Sequence, residues 1–214
     1  MILENLRSWK KLSCVIVVLG GLQFIILTLI AMFFYPGGYS FVDHYFSNLG
    51  TTITVENYKP NTISRTLFVI ACILVGISLI PFWIVITTMF ADEEISRYLS
   101  YFGSLLGIIA SPLLMLAGIF PGDKSYAIHA LTARYFFLFF ASAILIYSIA
   151  ILLKSDYNII YALVGFGLSI LIVLYIYRAF ILINPLMQKI IVYGLITWSG
   201  IQVVHIWKTV SSEE

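Results

Sequence analysis

Charge is what this sequence most conspicuously lacks: of 214 residues only 10% are Asp, Glu, Lys or Arg, against 61% hydrophobic. Soluble domains carry about 25% charged residues. A soluble chain of this size could not cover its surface with so few, so lipid must solvate most of it. No stretch is polar and long enough to fold separately in water, which implies one bundle domain over residues 1–214. The net charge of +2, with no run of Lys or Arg, excludes nucleic acid as an expected partner. The only cysteines, Cys14 and Cys72, fall inside apolar segments and read as buried small hydrophobes rather than a disulfide framework. HExxH, CxxC, a phosphate-binding glycine loop and a GxSxG elbow are all missing, so no cofactor or metal is implied by motif. A cleavable leader is not expected either, because the first apolar run exceeds the ~7–15 residues of such a segment.

Long apolar runs are what the sequence has. A membrane-spanning helix needs about 20 such residues. Runs at about 13–34, 63–90, 98–120, 126–153, 157–183 and 186–207 predict six helices. Tyr35-Pro36-Gly37-Gly38, Asp92-Glu93-Glu94, Pro121-Gly122-Asp123 and Lys154-Ser155-Asp156 punctuate them, and Asn184-Pro185 divides the last long run. Lipid cannot satisfy open backbone groups and the alternation of a barrel is absent, so the fold class is an all-α polytopic bundle. Gly103, Gly107 and Ser111, and likewise Gly165 and Ser169, repeat small residues at helical spacing and read as close helix contacts.

The connections are short except the first, about 28 residues from Tyr35 to Thr62. Ser40-Phe-Val-Asp43 has the form of a capping box. It predicts a short interfacial helix over Phe41–Leu49 that ends at Gly50. Counting Lys and Arg at helix ends leaves six on each side, so orientation rests on Arg7, Lys10 and Lys11 before the first span. That cluster places both termini in the cytoplasm of a cell-membrane protein, with the long loop outside.

Ionisable residues inside a span cost about 2.5–3.5 kcal/mol at its centre, and those present gather toward the long-loop face. Arg65 opens the second helix, His129 and Arg134 lie early in the fourth, and Arg178 lies late in the fifth. The loop adds Asp43, His44, Ser47 and Asn48, and the third turn adds Asp123. On a helix His44, Ser47 and Asn48 would share one face. Each has a plainer reading: Arg65 and Arg178 snorkelling to head groups, His129 packing, Asp43 and Asp123 capping helices. Arg134, roughly 12 Å below its helix start at 1.5 Å per residue, is the one expected to need an internal partner. Asp43, His44, Asp123 and His129 could supply zinc ligands. The other reading is an anion site built on the arginines.

Phe46-Ser47-Asn48-Leu49-Gly50, Asn61-Thr62-Ile63-Ser64 with Phe68, and Pro121-Gly122-Asp123 followed by His129 together resemble a prokaryotic six-helix membrane family, domain of unknown function 998. Its members typically carry Ser-Asp/Glu-Leu-Gly in the first loop, an Asn opening the second helix, and Pro-x-Asp then His around the fourth. The resemblance adds Asn61 to the candidate ligand-binding set. Asn48 stands where the family usually has a carboxylate. The pattern is more remotely similar to the Frag/DRAM/Sfk group, some of which are linked to lipid remodelling, a likeness that does not transfer activity.

Three functions are consistent with these residues. The first is binding or modifying an anionic lipid head group at an outward-facing His/Asp/Arg site. In an enzymatic form, His129 would be general base or metal ligand, with Asp43 or Asp123 orienting it, and Arg134 would hold phosphate. His44 belongs to the same catalytic set, and Arg65, Arg178, Ser47, Asn48 and Asn61 to the binding set. The second is a non-catalytic accessory subunit in a hetero- or homo-oligomer. The third is a small-solute transporter, which Pro81, Pro112 and Pro185 would suit as helix breakers.

Overall fold

The computed structural model describes residues 2–155, 157–177 and 184–212, with side chains from Leu6 onward. Its helices are α1 (Ile2–Phe33), α2 (Thr62–Ile86), α3 (Glu94–Ile119), α4 (Tyr126–Leu153), α5 (Ile159–Ile176) and α6 (Pro185–Ser212). Three-residue-per-turn segments add Phe46–Gly50 in the first loop and Thr87–Phe90 after α2. All six helices are long and apolar enough to cross a membrane. The chain is an all-α polytopic membrane bundle.

Several helices outrun their apolar stretch. α1 begins at Ile2 and α3 at Glu94, where the Arg97 N–H already bonds the Glu93 carbonyl at 2.8 Å. Hydropathy marks only the part that lipid solvates, while backbone hydrogen bonding continues beyond it. Pro81 and Pro112 lie within α2 and α3 rather than ending them. Asn184 caps α6, its Oδ1 accepting the Met187 N–H at 2.7 Å, and Pro185 takes the first helical position, where its missing N–H costs nothing. α5 is described to Ile176, so its expected end at Ile183 lies outside the described residues.

Each helix packs on the next, and α6 closes on α1. Side chains show which connections share an end. Asp123 of the α3–α4 turn bonds Thr52 of the first loop, and Gln188 of α6 bonds Phe46. These define the loop face. At the opposite face the Lys154 ammonium lies 3.8 Å from Asp92, joining the α4–α5 and α2–α3 turns. The core is centred on Trp83, fully buried among Phe82, Phe140, Tyr147 and Trp198, with ring centroids 4.8–6.3 Å away.

The small-residue stripes are contacts inside this bundle. Gly107 lies against the Trp83 ring, Gly103 against Tyr147, and Gly165 against Ser148 and Trp198. The Ser169 hydroxyl donates to the Ala141 carbonyl at 3.0 Å. Cys14 and Cys72 are free thiols, both buried.

Candidate functional site

The first loop folds back over the loop face and is tied down by its own polar side chains. Buried Asn61 donates from Nδ2 to the carbonyls of Leu49 (3.0 Å) and Thr51 (3.1 Å). The Ser64 hydroxyl reaches the Leu49 carbonyl at 3.4 Å, and Ile53 pairs with Pro60 in an isolated bridge. Phe46 and Leu49 are thereby driven into the bundle against Phe24 and Phe68.

The short helix of this loop occupies less than the expected Phe41–Leu49. One turn forms at Ser40, where the His44 N–H bonds the Ser40 carbonyl at 3.0 Å and the Asp43 N–H bonds the Ser40 hydroxyl at 3.1 Å. The turn does not propagate, because the His44 carbonyl is taken by the Lys189 ammonium and by the Tyr39 hydroxyl (3.1 Å). The Asn48 N–H, which a continuing helix would have sent to His44, bonds Tyr45 instead at 3.0 Å. The tighter segment Phe46–Gly50 results. The Asn48 side chain then accepts the Tyr45 N–H at 2.6 Å, a task for which an amide oxygen serves as well as a carboxylate.

Beneath Phe46 and Ser47 lies a cavity of about 270 Å³ among α1, α2, α3, α4 and α6. Phe24, Val75, Phe137 and Leu195 are among the apolar side chains that make most of its wall. On α6 it is lined from Gln188 to Gly200, roughly 18 Å along the helix at 1.5 Å per residue. The cavity therefore runs from the loop face to the middle of the span. Val18 and Leu22 of α1 line it and are also 43% and 51% exposed, so it opens sideways to the membrane. Gly21 on α1 and Gly200 on α6 contribute no side chain to that side.

Of the residues the sequence singles out, His129 and Ser47 line the cavity. His129 Nδ1 lies 2.9 Å from the Ala117 carbonyl and 3.0 Å from that of Phe120. Neither Asp43 nor Asp123 orients the ring; the last turn of α3 does. Arg65 is half-buried one turn above Phe68, in register with Phe68, Cys72, Val75 and Leu79 on the cavity face of α2. Its Nε is buried without a hydrogen-bond partner among the described residues.

The other candidates are placed elsewhere. His44 is buried, accepts the Ser40 N–H on Nδ1 at 3.0 Å and bonds Glu56 through Nε2 at 3.1 Å. Asp43 is exposed and bonds the Ser40 hydroxyl at 2.6 Å. Arg134, expected to turn inward, is exposed with its guanidinium 5.7 Å from the Tyr177 ring centroid. An aromatic face is a sufficient partner for a cation at the bundle surface. Arg178 lies outside the described residues. Among the described residues no three His, Cys, Asp or Glu side chains are grouped to hold a metal ion, so Asp43, His44, Asp123 and His129 do not form a shared zinc site.

Asp123 clamps the loop to the α3–α4 turn. Its carboxylate accepts the Thr52 N–H at 3.0 and 3.1 Å and also the Thr52 hydroxyl. Partial burial works to raise its pKa, and these hydrogen bonds outweigh it, leaving the group below its ordinary 3.8. A depressed folded-state value means the unfolded chain binds the proton first. The clamp thus adds stability above the ordinary value and loses it as pH falls through the lowered one. Asp123→Asn should flatten the dependence of thermal stability on pH below about pH 4. A wild-type slope in the variant would show that other carboxylates carry it.

Two residues with roles at this site were not legible as such. Lys189 reads as an ordinary basic residue near a helix start, yet it is 1% exposed. Its ammonium lies among the rings of Phe41, Tyr39 and Phe46, with centroids 5.1, 5.4 and 5.6 Å away. Gln188 accepts the Phe46 N–H at 2.8 Å and lines the loop-face end of the cavity. Their shared signal is a polar pair in the first turn of an otherwise apolar helix.

Comparison with known proteins finds one family whose model, described as "Protein of unknown function (DUF998)", matches residues 18–212. No curated protein and no solved structure matches the chain.

Proposed function

Because the chain belongs to the DUF998 family, whose description carries no activity, its function has to be read from its own site, and we propose that this site binds a membrane lipid. The tail occupies the cavity and the head group lies at the loop face. One observation carries this reading: a cavity of about 270 Å³ is walled mostly by apolar side chains, with Ser47, His129 and Gln188 toward the loop face and only the hydroxyls of Ser78 and Ser199 deeper in the span. Burying hydrocarbon in such a cavity gains dispersion contacts that an unfilled wall lacks. An anionic head group is favoured by Arg65, whose position in register above the cavity and unpartnered Nε suit a phosphate oxygen. Among the described candidate arginines it alone carries the anionic reading, since Arg134 lies over Tyr177.

Small-residue faces would suit a non-catalytic accessory subunit, but those of α3 and α5 are used within the bundle. The topology that accompanies the lipid reading has cytoplasmic termini and the lipid head in the outer leaflet of the cell membrane, from Arg7, Lys10 and Lys11 before the first span.

Gly200→Leu tests the cavity. A Cβ at Gly200 meets nothing within 4 Å, so the new side chain starts into open space at the cavity wall. Lipid retained through purification, measured by native mass spectrometry, should fall several-fold with the thermal midpoint unchanged or raised. Unchanged lipid content in a folded variant would count against the reading.

A further inference from the structure

His129 is held by one nitrogen and offers the other. Both partners of Nδ1 are carbonyl oxygens, Ala117 at 2.9 Å and Phe120 at 3.0 Å, and carbonyls only accept. Nδ1 therefore carries the hydrogen, and in the neutral ring Nε2 is an acceptor. Nε2 has no hydrogen-bond partner among the described residues, and the ring lines the cavity. Ser47 and Gln188 line the same end. Gln188 has its oxygen committed to the Phe46 N–H, which leaves its amide NH2 to donate. The loop-face end of the cavity thus holds an acceptor on His129, a donor on Gln188 and an amphoteric hydroxyl on Ser47, while the cation, Arg65, stands one turn further out on α2.

We infer that the site selects a single-chain phospholipid whose free glycerol hydroxyl donates to His129 Nε2 while its phosphate faces Arg65. This rests on the lipid reading above and narrows it. In the two-chain relative that hydroxyl is esterified and has no hydrogen to give. A fatty acid, ionised at neutral pH, also lacks the donor. The α3 carbonyls fix the ring, so recognition requires no rearrangement of His129.

The test uses the full chain, stripped of lipid in detergent and titrated with lysophosphatidylmethanol, phosphatidylmethanol, palmitate and the deoxy analogue of the lysolipid lacking the free glycerol hydroxyl; the methyl-capped phosphate keeps the anion and carries no hydroxyl of its own. Lysophosphatidylmethanol should bind about tenfold tighter than the other three, the order of one well-placed hydrogen bond. In His129→Asn the side-chain amide can still donate toward Ala117 and Phe120, but nothing replaces Nε2. Its thermal midpoint should stay near wild type, its affinity for the lysolipid should fall about tenfold, and its affinity for the deoxy analogue should not change. Equal binding of lysolipid and deoxy analogue by the wild type, or undiminished lysolipid binding by His129→Asn, overturns the inference and leaves the lipid reading intact. Preference for the two-chain lipid does the same. Failure of the wild type to bind any of the four removes the lipid reading and this inference together. Should His129→Asn fail to fold, the deoxy analogue on the wild type decides alone.

Discussion

Replacing Gly107 with alanine is expected to destabilise the bundle by about 3 kcal/mol or more, at or beyond the upper end of overpacking substitutions. A Cβ built on Gly107 falls inside the indole ring contacts of Trp83, well within van der Waals distance. The ring has nowhere to retreat. Trp83 is 0% exposed and is flanked by Phe82 at 4.8 Å, Phe140 at 5.1 Å and Trp198 at 6.3 Å between centroids. Relief would require α3 to move away from α2, which would also disturb the contact of Ser104 with the Trp83 carbonyl. Gly167→Ala is the control, since a Cβ there meets nothing within 4 Å. Thermal unfolding in detergent should separate the two variants by many degrees. Equal midpoints would mean that the Trp83–Gly107 contact does not hold α2 to α3.

Lys189→Ala is the second large effect expected, and it reaches the site. The ammonium donates to the His44 carbonyl and, at 3.3 Å, to the Pro185 carbonyl. The first of these joins the start of α6 to the loop segment that roofs the cavity, and the second lies within α6. Losing a hydrogen bond from a charged donor costs about 1.5–3 kcal/mol. Truncating the side chain also empties a site framed by Phe41, Tyr39 and Phe46. The first loop should become cleavable by protease within residues 51–60 under conditions where the wild type is intact, and the thermal midpoint should fall. Lys189→Met separates the contributions. It keeps most of the stem's volume and relieves the ammonium of its burial, so it should recover most of the stability. If Lys189→Ala behaves like the wild type, the lysine does not anchor the loop.

The division between legible and illegible features follows the length scale of the forces. Asn61 was singled out through a family resemblance, and its role in holding Leu49 and Thr51 needed the loop to be folded. Arg134 reads from its depth as a residue in search of an internal partner, but helical depth does not specify azimuth. Its exposed side chain meets Tyr177 from the next helix. Asp43 and Ser40 do form the local bonds their spacing suggests, yet the helix they begin stops after one turn because Lys189, 145 residues away from His44, takes the carbonyl needed to continue.

What the sequence determined by itself is the solvent and therefore the architecture. A chain with 10% charged residues and six apolar runs must satisfy its backbone internally, and only spanning helices of about this length do so. The punctuation by Pro, Gly, Asn and Asp is likewise local chemistry, which is why the turns fall where they are read. Only the tertiary structure decided which polar residues share a space. It joined His129, Ser47 and Gln188 at one end of a cavity, sent His44 to Glu56 and Asp123 to Thr52, and turned Arg134 outward. Those outcomes depend on helix rotation and on side chains from α1 to α6 packing at once, and hydrophobic patterning in one segment carries no record of its neighbours.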